Sequence, residues 1–120
     1  MEKAVVLLAH GSRVAQAVEK FREVVGKLRE RFPFRLEEAF MVRANPNLKK
    51  ALLRLYQEGY QEIAVFPVFL FEGLHLVHDI PEEIDQLKAQ YPNLKITVYK
   101  PLGEKEQFIE FLAAVLANEL

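Results

Sequence analysis

The sequence predicts an α/β fold, a three-layer sandwich on a four-stranded parallel sheet in the order 2-1-3-4. Three observations carry that expectation. Strand-like and helix-like patterns alternate four times along 120 residues. The clearest strand-like runs are short and almost continuously apolar, as strands covered on both faces are. The intervening stretches place apolar residues at steps of three and four, the spacing of a helix with one buried stripe.

The first strand is KAVVLLA, residues 3–9. A helix is expected over 14–31, where Val14, Ala17, Val18, Phe21, Val24, Val25 and Leu28 form the stripe and Pro33 ends it. FRLEEAFM, 34–41, is a weaker strand signal. Asn45-Pro46 then offers an N-cap followed by proline at the first helical position. Leu48, Ala51, Leu52 and Leu55 supply the apolar face of that second helix, and Gly59 stops it. EIAVFPV, 62–68, is the third strand. Asp79-Ile80-Pro81-Glu82 has the form of a capping box opening a helix toward Tyr91. KITVYK, 95–100, is the fourth strand, and Phe108, Ile109, Leu112, Val115 and Leu116 mark a final helix.

Parallel strands joined by right-handed crossovers set strands one and three side by side. Their connections leave in opposite directions, so a crevice opens at their carboxyl ends, where open α/β sheets bind ligands. The two unusual loops, HGSR after strand one and FLFEGLH after strand three, both point into it. The expected organisation is one domain, residues 1–120.

Composition narrows the function. Sixteen basic and seventeen acidic side chains leave a net charge of −1, which gives no global field for nucleic acid. The absence of cysteine removes disulfides, thiolate zinc sites and iron–sulfur clusters, and fits a reducing compartment. The apolar run 4–9 is too short for a membrane span or a signal segment, so a cytoplasmic protein without membrane partners is expected.

His10 directly follows strand one, and His75 sits in the apolar loop behind Gly73. Each alone is as well read as a satisfied strand-end or half-buried histidine. The topology brings them to one crevice, where two neutral imidazoles make a sparse divalent-metal site. A structural zinc site takes four protein ligands, whereas two leave positions for water or substrate and suit handing a metal over. Gly11 permits a tight turn, and Ser12 is expected as the N-cap of the first helix. GSR at a helix start is also a weak anion-binding signal. His78 is expected to face solvent, and Asp79 to serve as a cap. Arg13 and Arg43 near the rim suit carboxylates. The greasy loop Phe69, Leu70, Phe71 and Leu74 suits a large flat ligand or a subunit interface.

LLAHGSR, PVFLFEGLHLVHDIP and KPLG, in that order and spacing, resemble the small sirohydrochlorin chelatases of the class II chelatase group across nearly the whole chain. The resemblance implies a chelatase-like fold and a sirohydrochlorin cobaltochelatase, a lyase-class enzyme serving cobalamin or related tetrapyrrole synthesis. Its metal, Co²⁺ with Ni²⁺ or Fe²⁺ as alternatives, is a substrate, and no permanently bound cofactor is implied. It further implies His10 as metal ligand and proton acceptor and His75 as second ligand. Phe69, Leu70, Phe71, Glu72, Gly73 and Leu74 would line the tetrapyrrole site, with Arg13, Arg43 and Asn45 also binding substrate. A homodimer is implied as well. Many relatives carry acidic residues where this chain has MVRAN, 41–45, which makes Arg43 a candidate holder of a substrate carboxylate.

Sirohydrochlorin is a planar ring with eight carboxylates and two inner pyrrole N–H groups, and insertion must remove both protons. Histidine suits that centre because its ordinary pKa, about 6.5, leaves a lone pair mostly free at neutral pH. A non-catalytic metal or tetrapyrrole carrier would use the same residues. A histidine phosphatase is disfavoured because Ala9 stands where its RHG motif needs arginine. A structural subunit whose apolar loop is a dimer contact is the remaining alternative.

Overall fold

The apolar run near the start of the chain becomes a central strand because it can be buried on both sides. In the computed structural model, which describes residues 3–120 except for the side chains of 74–77, β1 (Ala4–Ala9) lies between two parallel neighbours. These are β2 (Arg35–Phe40) and β3 (Glu62–Pro67), and β4 (Lys95–Val98) completes the sheet in the order β2-β1-β3-β4. The expected order is therefore observed. Register brings Ala9 opposite Phe40 and Leu8 opposite Pro67, so three strands end level and deliver their loops to one edge.

One face of the sheet carries the main core. Val6, Leu8, Ile63 and Val65 meet α2 (Leu48–Gln57) through Leu48, Leu52 and Leu55, and α3 (Leu74–Gln90) through Ile80, Ile84 and Leu87. The other face is covered by α1 (Ala15–Arg29), whose Val25 is fully buried against Val5 and Leu36. The last helix, α4 (Glu106–Glu119), follows a short 3₁₀ turn at Leu102–Glu104. Charges in β2 do not prevent a strand because they are paired. Buried Glu37 accepts from Arg29 at 3.4 Å and Arg35 at 3.0 Å, and Glu38 accepts from Arg29 at 2.9 Å.

Three expected helix starts are corrected. Ser12 is not the N-cap of α1; that position is Val14, and the Ser12 hydroxyl accepts the Val14 N–H at 3.0 Å, closing the preceding turn. Asn45-Pro46 does not open α2. The Phe40 N–H donates to the Pro46 carbonyl at 2.9 Å, which holds these residues extended beside the end of β2. Asn47 caps instead, its side-chain oxygen accepting the Lys50 N–H at 2.8 Å. Nor is Asp79 a cap: α3 begins at Leu74 with Gly73 as N-cap, and Pro81 lies inside it. An interior proline forfeits one helical hydrogen bond, but packing of Ile80, Ile84 and Leu87 on the core overrides that preference.

Candidate functional site

The level ends of β1, β2 and β3 set the geometry of the site. The Met41 N–H donates to the Ala9 carbonyl at 2.9 Å and the Val42 N–H to the His10 carbonyl at 3.0 Å. The loop after β2 is thereby laced to the loop after β1. Gly11 allows this approach: its φ is +105°, and a side chain there would run into the backbone carbonyl of Val42. The turn role expected of Gly11 is observed. Arg43, two residues after Met41, holds a left-handed backbone at φ +64°, uncommon for a residue with a side chain.

The β2–α2 loop divides two clefts. The first, about 210 Å³, is lined by His10, Met41, Val42, Asp79, Glu82, Glu83 and Gln86. His10 is exposed to it. Burial pushes the Glu83 carboxyl above its ordinary pKa, and the negative charges of Asp79 and Glu82 add to this while Lys49 opposes it. Among the described residues, no three His, Asp or Glu groups converge as a metal cage. What the acidic wall supplies is a negative field beside one imidazole, suited to drawing a cation inward. The second cleft is lined by Ser12, Arg13, Glu19, Arg22, Arg43 and Asn45. Arg13 and Arg43 are exposed there, and among the described residues neither forms an ion pair.

The structure thus brings Arg13, Arg43 and Asn45 together and sets His10 across the dividing loop. In the connection 68–73, Phe69 packs on the core, Glu72 is half-buried, and Leu70, Phe71 and Gly73 are exposed. The expectations for Leu74 and His75 lie outside the described residues. His78 is exposed, as expected.

Sequence reasoning missed the acidic wall and Arg22. Taking Asp79 as a cap left Glu82 and Glu83 outside the site; the Ile80, Ile84, Leu87 spacing was the signal that the helix continues through them. Arg22 donates to the Asn45 carbonyl at 2.7 Å and lies 3.6 Å from Glu38, so it braces the arginine cleft. Its position on α1 gave no such sign.

The raised Glu83 has a measurable consequence. A carboxyl whose folded-state pKa exceeds its unfolded value contributes stability below the unfolded value, about 4.3, and loses it as pH rises through the folded value. Glu83→Gln is therefore expected to raise the thermal midpoint at pH 7, with the gain vanishing near pH 4. A gain independent of pH in thermal scans would exclude this origin.

A family model described as CbiX matches residues 4–119. The sirohydrochlorin cobaltochelatase of Sulfurisphaera tokodaii is 28% identical over 90% of this chain and 86% of its own length. The sirohydrochlorin ferrochelatase of Bacillus subtilis is 29% identical over 92% of this chain. This chain spans only 42% of that longer relative. Among solved structures, a putative cobalamin (vitamin B12) biosynthesis CbiX protein from Marinobacter aquaeolei superposes with a TM-score of 0.85 at 29% identity, covering 98% of this chain and 96% of its own.

Proposed function

This chain belongs to the CbiX family, and on that premise we propose that it inserts a divalent metal ion, Co²⁺ in the first instance, into sirohydrochlorin. The observation that carries this proposal is the pairing of clefts across the β2–α2 loop, one with an imidazole and an acidic wall, the other with two uncommitted arginines. The first suits a cation and the second suits the carboxylate rim of the macrocycle. Leu70 and Phe71, exposed in the connection after β3, offer apolar surface for the ring face.

In this mechanism the metal arrives as a substrate, drawn past Asp79, Glu82 and Glu83 toward His10. His75, the histidine of the GLH motif, is proposed as the second ligand on the family resemblance. One imidazole nitrogen cannot hold a metal and accept a proton at the same instant. The two histidines therefore divide the tasks or perform them in sequence as the pyrrole nitrogens replace the metal's ligands. The protein needs no resident cofactor in this scheme and acts in the cytoplasm as a homodimer. Relatives named for cobalt and for iron leave the choice of metal to geometry and supply.

The decisive experiment follows sirohydrochlorin absorbance with Co²⁺, Fe²⁺ and Ni²⁺ at substrate in large excess over protein. Multiple turnovers are expected, fastest with Co²⁺. A spectral change that stops at one equivalent identifies a carrier and defeats the proposal. In the same assay, Arg13→Gln and Arg43→Asn are each expected to raise KM for the tetrapyrrole roughly 10-fold with little change in kcat, the loss of one charge-assisted hydrogen bond. Asparagine at 43 keeps the left-handed backbone accessible, so an unchanged KM would show that the charge does not meet the substrate.

A further inference from the structure

The motif KPLG, 100–103, takes no part in the metal or carboxylate chemistry, and backbone conformation does not explain its glycine. The φ of Gly103 lies outside the left-handed region that Gly11 occupies, so a residue with a side chain could adopt it. What the position requires is space. A Cβ there would run into the Leu70 carbonyl and stand 2.6 Å from the Cε1 of Phe71, whereas at Gly26 and Gly73 nothing lies within 4 Å of one. The close neighbours of Gly103 are thus the two residues that offer apolar surface for the ring face, Leu70 at 47% and Phe71 at 66% exposure.

Backbone hydrogen bonds build this approach. Pro101, fully buried, enters the 3₁₀ turn with φ −57°. The Leu102 N–H then donates to the Phe69 carbonyl at 2.9 Å and the Gly103 N–H to the Leu70 carbonyl at 2.8 Å. The Glu104 N–H closes the turn on the Pro101 carbonyl at 3.0 Å. These bonds carry the pairing of β3 with β4 past the strand ends, where the Tyr99 N–H reaches the Val65 carbonyl at 2.9 Å. The loop after β3 is laced to the loop after β4 much as the loop after β2 is laced to the loop after β1. A glycine stands at the close approach in each lacing, Gly103 in one and Gly11 in the other.

We propose that Gly103 is a positioning residue for the tetrapyrrole: it lets the turn sit directly behind Leu70 and Phe71 and fixes them as an apolar platform, without touching the substrate. Two large apolar residues held out toward solvent on a backbone pinned from behind suit a flat ligand. Backbone ordered in advance leaves less conformational freedom to lose when the ring binds. The inference deepens the chelatase proposal and rests on it, since the platform matters only if the macrocycle lies on Leu70 and Phe71.

The probe is sirohydrochlorin without metal, titrated by absorbance against the parent chain, Gly103→Ala and Val25→Ala. Val25 is buried against Val5 and Leu36 near the opposite ends of the strands, so truncating it lowers the thermal midpoint without reaching the platform. Gly103→Ala is expected to weaken binding at least about 10-fold, through lost preorganisation, at a temperature where its far-UV circular dichroism matches the parent. Val25→Ala is expected to bind as the parent does. In turnover the change should fall on KM, with kcat little altered. On the unaltered chain, saturation with sirohydrochlorin is expected to slow hydrogen exchange at the Leu102 and Gly103 amides, because a ligand that holds the platform holds the turn behind it. That measurement decides alone if Gly103→Ala does not fold. Parental affinity in folded Gly103→Ala overturns the proposal, as does equal weakening in Val25→Ala or unchanged exchange at both amides. Stoichiometric binding without turnover would defeat the chelatase reading and leave the platform standing. A parent chain that binds no sirohydrochlorin defeats both.

Discussion

Replacing His10 by alanine is expected to lower metal insertion at least about 100-fold, the lower range of what a positioned proton-transfer group contributes. The far-UV circular dichroism should be unchanged. His10 is exposed at the end of β1, and among the described residues its side chain makes no hydrogen bond. Its removal therefore opens no core cavity, and surface substitutions of that kind usually shift stability by about 0.5 kcal/mol or less. The contrast between lost chemistry and retained fold is the informative part. Wild-type turnover in His10→Ala, followed by sirohydrochlorin absorbance, would remove the imidazole from the mechanism.

The neighbouring residue should behave in the opposite way. Gly11→Ala is expected to destabilise the protein by at least about 2 kcal/mol, within the range for a strained backbone position. Two costs combine there. Gly11 has φ +105°, a conformation that residues with a side chain rarely adopt, and a Cβ would collide with the Val42 carbonyl. Backbone cannot rotate aside as a flexible side chain can. The collision also falls on the contact that laces the β1 and β2 loops, so insertion should drop together with the thermal midpoint. A midpoint equal to that of the parent, measured by thermal circular dichroism, would show that the loop relaxes at little cost.

These paired outcomes reflect how differently the two residues are written in the sequence. Gly11 after a buried strand is legible as a turn because glycine's freedom is a local property. His10 is legible only as a candidate, since an imidazole has the same letter whether it binds metal or bonds to backbone. Arg13, Arg43 and Asn45 come together in the folded chain although 30 residues separate Arg13 from Arg43. The rim was anticipated from the topology, but Arg22 was not, because the carbonyl it braces belongs to another loop.

The helix starts show where local rules yield. Ser12, Asn45 and Asp79 all carry side chains that favour caps, and none of them caps its helix. Asn45 yields because the end of β2 claims the following residue in an extended pairing. Asp79 yields because α3 gains more from docking Ile80, Ile84 and Leu87 than it loses at Pro81. The correction has a functional consequence, since it turns a presumed cap into part of the acidic wall facing His10.

By itself the sequence determined the α/β class, the four strands and the order 2-1-3-4, because periodicity and parallel connection are properties of neighbouring residues and chain chirality. It also determined that histidine and arginines stand at the carboxyl edge of the sheet. The tertiary structure alone decided where α3 begins and which carboxylates share a cleft with His10. Each of those depends on surfaces meeting across the fold, where burial free energy summed over several side chains outweighs local preferences, which run from a few tenths of a kcal/mol for most residues to about 3 kcal/mol for an interior proline such as Pro81.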